Sequence, residues 1–140
     1  MKLSLNSNKG FIAVLICMML PVIIALLGIC IDGGILLYYD ARLMSAAKFA
    51  AISATAFYDV TDGKAVLQGV NDSGPAFDAA KNALKMNFID AQLYKFEINN
   101  TKKSECTVKA KVNVDFFFAK IFHVDGTTIE EEYTAERVIK

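Results

Sequence analysis

Residues Phe11 to Ile31 read FIAVLICMMLPVIIALLGICI, twenty-one positions without a charged side chain. As an α-helix this segment would be about 31 Å long, which matches the hydrocarbon core of a bilayer. The sequence therefore predicts one membrane-spanning helix over 11–31. It is preceded by a short amino-terminal leader, residues 1–10.

A cleaved secretory signal is the competing interpretation of this segment. Lys2 and Lys9 precede the apolar run, and Ala54-Thr55-Ala56 has the small residues of a cleavage site. A signal peptide, however, has an apolar core of about 7 to 15 residues and is cut close behind it. Some two dozen residues intervene here, so the sequence favours an uncleaved anchor.

The helix is expected to continue beyond the membrane. Alanine, the strongest helix former, recurs from Ala41 to Ala56, so we predict a helical extension over 32–58. Lys2 and Lys9 flank the span on the amino side, whereas Asp32 is the first charge on the other side. This bias predicts a single-pass protein of the cytoplasmic membrane, with its amino terminus in the cytoplasm and its carboxyl-terminal domain outside.

Residues 59–140 are enough for one small extracytoplasmic head domain. Turn-forming residues predict a loop over 59–75, and a capped amphipathic pattern predicts a helix from Pro75 to about Ile89. Alternating patterns then predict a strand ending at Ile98, with Tyr94, Phe96 and Ile98 on its apolar face, and a long strand over 106–116 whose even-numbered residues face inward. A short helical crossover over 116–122 and a third strand from about Thr127 to Val138 are predicted to follow. The fold class is therefore α+β, a long helix followed by a second helix and a small antiparallel sheet.

Composition excludes several functions. Fifteen basic and fifteen acidic residues leave no net charge, so nucleic acid is not an expected partner. Cys17 and Cys30 would lie about 20 Å apart on one helix and cannot form a disulfide bond with each other within one chain. Cys106 is expected to be a buried strand residue, and His123 has no evident partner. We predict no catalytic residues, no metal site, no cofactor and no small-molecule substrate.

Several features follow one another along the first part of the chain: Lys9-Gly10, Pro21, Gly28, Ile31-Asp32-Gly33, Tyr38-Tyr39 and the segment Leu43 to Ala51. Their order resembles the TadE/TadG-like family of Flp (tight adherence) pilus assembly proteins. The resemblance covers roughly the first fifty-five residues, and a looser match continues in the strands.

The resemblance implies a pilin-like or pseudopilin subunit whose partners are the lipid bilayer and other Tad/Flp pilus or secretion membrane proteins. It also makes Gly10-Phe11 a candidate prepilin peptidase junction, although an uncut anchor is favoured. Two residues depart from the family pattern: Leu15 stands where type IV pilins have glutamate, and Lys48 stands where aspartate is common. The first departure favours the TadG-like branch over a major pilin. The alternatives are a membrane-tethered adhesin or binding module outside any filament, and a membrane-anchored enzyme with an unrecognised site.

Four local features have two interpretations each. Asp32 is either a functional intramembrane acid or, as we favour, an interfacial charge with no further role. The helix-packing surface Ala46, Ala50, Ser53 and Ala54 contacts either this chain's own head domain or another helix. The cluster 116–122 is either a contact patch or, as we favour, core. The acidic run Glu130 to Glu132 is either a cation site or, as we favour, a solvated edge.

Overall fold

A computed structural model describes residues 7–138 of the chain. The first six residues of the predicted leader, and Lys2 with them, lie outside this range. The elements in order are α1 (Ser7–Ala54), β1 (Tyr58–Thr61), β2 (Lys64–Leu67), α2 (Pro75–Asn87), β3 (Gln92–Ile98), β4 (Glu105–Asp115), a 3₁₀ helix (Ala119–Phe122) and β5 (Gly126–Glu136). The α+β class is confirmed.

Helix α1 is one continuous helix of 48 residues, about 72 Å long. Its first half exposes large apolar side chains all round, from Phe11 to Leu27. Its most apolar stretch of 18 residues has a mean hydropathy of 3.0, and by length and composition the helix could cross a membrane. Pro21, Gly28, Gly33 and Gly34, the residues at which a long helix would be expected to bend, all lie within the unbroken helix.

The second half of α1 forms the centre of the head domain. The buried positions recur every three or four residues, so they share one face of the helix. This face packs against α2, β4 and β5. The buried side chains on it are Leu43, Ala46, Ala47, Ala50, Ala51 and Ala54.

Two boundaries differ from the sequence prediction. The helix ends at Ala54 rather than near Tyr58, and the predicted loop over 59–75 contains the hairpin β1–β2. Asp62 and Gly63 both have positive φ, at 51° and 70°. An Asp-Gly pair in this conformation is the preferred two-residue turn between antiparallel strands, and it outweighed the poor alternation of the flanking residues.

The main sheet has the order β3-β4-β5 with antiparallel neighbours. The predicted inward face of β4 is confirmed, since its apolar residues Cys106, Val108, Ala110, Val112 and Val114 are all buried. The predicted face of β3 is wrong at Tyr94. The β3–β4 register shifts between Leu93 and Lys95, so this bulge turns Leu93 inward and Tyr94 outward.

The direction of β4 determines which end of the head lies nearest the apolar half of α1. Strand β4 begins beside the end of α1, where Cys106 Sγ lies 3.6 Å from the carbonyl of Ala51. It ends beside Asp32, about 19 helical residues or 28 Å earlier along α1. The connection from β4 to β5 is therefore at the end of the head that adjoins the apolar segment.

Candidate functional site

The connection from β4 to β5, hereafter the crossover, comprises Phe116 to Asp125. It is closed at its base by a hydrogen bond from Phe116 N–H to the carbonyl of Asp125, at 2.9 Å. A single 3₁₀ turn fills it, and His123 ends that turn in the left-handed conformation with φ of 62°. The Val124 N–H then donates back to the carbonyl of Ala119 at 3.1 Å. The predicted short helical crossover is thus confirmed.

The carboxylate of Asp32 binds the start of this 3₁₀ turn. Oδ1 accepts a hydrogen bond from Phe117 N–H at 2.8 Å, and Oδ2 accepts one from Ala119 N–H at 2.7 Å. The Phe118 N–H lies between them, 3.2 Å from Oδ1 and 3.1 Å from Oδ2. Asp32 is therefore in the position of a capping residue, although it is supplied by a helix some 85 residues away in the chain.

This contact corrects the interpretation of Asp32 as a charge with no further role. Its residue surface is only 7% exposed, and both carboxylate oxygens accept bonds from the crossover backbone. Hydrogen bonds to an ionised acceptor are stronger than those between neutral groups. Asp32 thus fixes the crossover to α1 one residue beyond the uncharged run, and its position at a membrane interface stays a prediction.

Gly28, one helical turn before Asp32, lets the crossover approach α1 closely. A Cβ atom at this position would lie 2.7 Å from Cγ and 2.9 Å from Cβ of Phe118, closer than real carbon atoms approach. The Phe118 ring therefore occupies the space above the glycine. Gly28 and Asp32 together form a two-residue seat for the crossover, the first by its missing side chain and the second by its carboxylate.

The remaining apolar residues of the crossover are not core, contrary to the favoured prediction. Phe117 is 71% exposed, Ile121 is 69% exposed and Phe122 is 73% exposed. The crossover lies at the end of the sheet, and no other described element covers its outer side. Only Phe116, Phe118 and Ala119 are partly buried.

The helix-packing surface on α1 lies mostly inside the chain's own head domain. Ala46, Ala50 and Ala54 are 0–1% exposed, and Ser53 is partly buried. Their short side chains let α2 and the sheet lie close to α1. Of the two interpretations, packing within the head domain fits, and the intermolecular alternative is corrected because the three alanine side chains have no free surface.

The acidic run of β5 is divided between the two faces of the strand. Glu132 binds Lys109 at 2.7 Å and Glu130 accepts a bond from the Tyr94 hydroxyl at 3.2 Å, both on the outer face. Glu131 points inward, where burial and the nearby carboxyl of Asp40 raise its pKa. The three carboxylates do not converge, as the alternation of a strand predicts.

The remaining candidate residues are placed as follows. Gly10 and Phe11 are exposed and lie within α1, and Leu15 is 52% exposed. Cys17 and Cys30 are exposed free thiols. Cys106 is buried, as predicted, and burial raises its pKa to about 11. Within residues 7–138 no group of three or more His, Cys, Asp or Glu could hold a metal ion.

Comparison with protein-family models, with curated proteins and with solved structures gives no match. The resemblance to the TadE/TadG-like family consequently rests on the residues quoted above. The seat that Gly28 and Asp32 form for the crossover was not predicted from the sequence. Its sequence signal was a glycine and an aspartate spaced by four residues at the end of an apolar helix, which alone does not indicate a contact.

Proposed function

We propose that this chain is a membrane-anchored, pilin-like or pseudopilin component of a Flp-type pilus or a related secretion apparatus, with a structural or assembly role. The observation that carries the proposal is the division of α1. One continuous helix supplies an exposed apolar half, suited to lipid or to other apolar helices, and a second half that forms the centre of a small α+β head.

The rigid join between these halves supports a structural role. A filament repeats one subunit geometry, so the head must hold a fixed orientation on its anchor helix. Here no loop separates head from anchor, and Asp32 and Gly28 attach the far end of the sheet to the same helix. A tethered binding module, by contrast, is commonly joined to its anchor by a flexible linker.

Leu15 supports a role as a minor or assembly component rather than as a major pilin. In a filament, a carboxylate at this position pairs with the new amino terminus of a neighbouring subunit, where an unpaired charge would be costly. Leu15 cannot form that pair. We therefore propose an accessory role within the apparatus, with other Tad/Flp membrane proteins as partners.

Affinity purification tests this proposal directly. A carboxyl-terminally tagged chain, extracted in mild detergent from cells that make the pilus, should copurify with pilins or inner-membrane assembly proteins. A tethered adhesin would be recovered without them. The matched control is a tagged single-pass protein of equal abundance, and recovery of the same proteins with both baits would contradict the proposal.

Processing and orientation are separate tests. If a prepilin peptidase recognises the junction, the intact mass should correspond to a chain beginning at Phe11, and a chain retaining Met1 to Gly10 in cells with active peptidase would exclude cutting. Residues Ser7 to Gly10 are helical, so cutting requires the helix end to fray, which costs little at a terminus. In intact spheroplasts, external protease should remove a tag at Lys140, and protection until lysis would reverse the orientation.

A further inference from the structure

We propose that the crossover is an interfacial membrane contact, in which Phe117, Ile121 and Phe122 enter the boundary between lipid headgroups and acyl chains beside the spanning helix. This inference rests on the membrane span proposed above. It adds a second attachment to the bilayer, made by the head domain itself. The occupant of this exposed apolar surface is thus a lipid surface rather than another protein.

The level of the crossover along α1 is the first argument. Asp32 directly follows the uncharged run, and Gly28 lies one turn, about 6 Å, deeper within it. The crossover backbone is bonded to Asp32, and the Phe118 ring lies over Gly28. If residues 11–31 span the bilayer, these contacts place the crossover at the lipid boundary. Interfacial segments bury their apolar side chains by about 5–10 Å in the same region.

The exposure of the crossover is the second argument. Phe117, Ile121 and Phe122 are each 69–73% exposed, and the turn that carries Ile121 and Phe122 packs against α1 at the end of its apolar segment. The partly buried residues of the same turn, Phe118 and Ala119, face α1. A short turn that buries one side against the helix and presents large apolar groups on the other has the division expected of a segment lying in an interface.

Most amide groups of the crossover backbone are hydrogen-bonded, which suits a region poor in water. Unsatisfied amide groups prevent irregular segments from entering lipid, because each costs several kcal/mol. In this crossover the carboxylate of Asp32 accepts the three amides at the start of the turn, and internal carbonyls accept others. The satisfied N–H groups belong to Phe116, Phe117, Phe118, Ala119, Ile121, His123 and Val124.

The charge near the crossover indicates an apolar rather than an electrostatic attachment. Lys120 is exposed on the turn, and its long side chain can hold its ammonium among the headgroups. Asp115 and Asp125 are exposed at the two ends of the crossover, so these three side chains carry a net charge of −1 and offer no attraction to anionic lipid. The contact should therefore form on vesicles without net charge.

Single tryptophan variants test the proposal, because the natural chain has no tryptophan. Full-length Phe122→Trp protein is reconstituted in phosphatidylcholine vesicles with bromine at defined acyl positions. Leu20→Trp, in the middle of the apolar run, reports the span. Val60→Trp is the matched control, since Val60 is 62% exposed in β1 at the opposite end of the head.

The expected result is a blue-shifted emission from Phe122→Trp that loses intensity when bromine is near the headgroup. The emission of Leu20→Trp should be quenched by bromine deep in the acyl chains. The emission of Val60→Trp should be quenched by bromine at neither depth. Quenching at Leu20→Trp alone would leave the span intact and overturn the interfacial contact. Quenching of neither Leu20→Trp nor Phe122→Trp would overturn both the membrane span and the interfacial contact. A blue-shifted but unquenched Phe122→Trp would show that protein covers this surface, which also overturns the proposal.

Discussion

Replacing Asp32 with alanine should loosen the head domain at one end of its hydrophobic core. The substitution removes the acceptor of the amides of Phe117, Phe118 and Ala119 and leaves the rest of α1 unchanged. Alanine is also the better helix former, so the local propensity of α1 rises slightly. Any loss of stability must therefore come from the tertiary contact.

The size of the effect is bounded by two known cases. Loss of an ordinary helix cap, where water replaces the side chain, costs about 0.5–2 kcal/mol. Hydrogen bonds to a charged group contribute about 1.5–3 kcal/mol each, but only where water does not replace them. Asp32 is 7% exposed, whereas its donors lie on a crossover with open sides. We therefore expect a loss of about 2–3 kcal/mol, above the cap value and well below the sum of three charged bonds.

The thiol of Cys106 provides the assay. In a chain with Cys17→Ala and Cys30→Ala it is the remaining cysteine, and it is fully buried. Burial raises its pKa to about 11, so the folded protein should resist thiol reagents near neutral pH. Cys106 lies beside Ala51, at the end of the head opposite Asp32, so its labelling reports opening of the whole head.

Labelling follows the population of the open state when reclosing is fast. A loss of about 2–3 kcal/mol should accelerate it roughly thirtyfold to a hundredfold in detergent micelles, at about tenfold per 1.4 kcal/mol. Asp125→Ala, which removes an exposed carboxylate from the same crossover, is the matched control. A rate for Asp32→Ala within twofold of that control would refute the view that this contact stabilises the head.

Three further substitutions follow from the same structure, each measured by Cys106 labelling. Gly28→Ala should lower the stability of the head domain by up to about 2 kcal/mol, because overpacking against Phe118 outweighs the gain in helix propensity. In the control Gly34→Ala the added methyl group meets nothing within 4 Å, so this change should raise the stability. Equal effects of the two substitutions would contradict the close contact. Ala50→Leu should lower the stability of the head by about 1–3 kcal/mol and reduce the abundance of the protein in the membrane, because Ala50 is buried. Ala41→Leu, at an exposed position, should do neither. Normal abundance of Ala50→Leu together with lost copurification would instead indicate an interface between chains. Because the pKa of Glu131 is raised in the folded protein, its contribution to the stability of the head is full below the ordinary pKa of 4.5 and is lost as the pH rises through the raised pKa. Glu131→Gln should therefore make stability fall less steeply as the pH rises. A pH profile of stability identical to that of the unsubstituted chain would contradict this prediction.

The elements that follow from local rules were predictable. The uncharged run, the alanine-rich continuation and the alternation of β4 each repeat one pattern over many residues, so the long helix and the central strand follow from hydrophobicity and propensity. The helix α2 was equally clear from its proline and its apolar spacing. The hairpin β1–β2 was missed because two strands of four residues contain too few repeats, although Asp62-Gly63 was the signal for its turn.

The tertiary structure alone decided what the chemistry-bearing residues do. The sequence shows Asp32 as a charge at the end of an apolar run, and only the path of β4 back along α1 brings the crossover amides to it, 85 residues later. The same path covers the alanines of α1 and leaves Phe117 and Phe122 exposed. Periodicity specifies which face of an element is apolar, but the partner of that face depends on how the chain turns between elements. Contacts between residues far apart in sequence therefore leave no local pattern to detect.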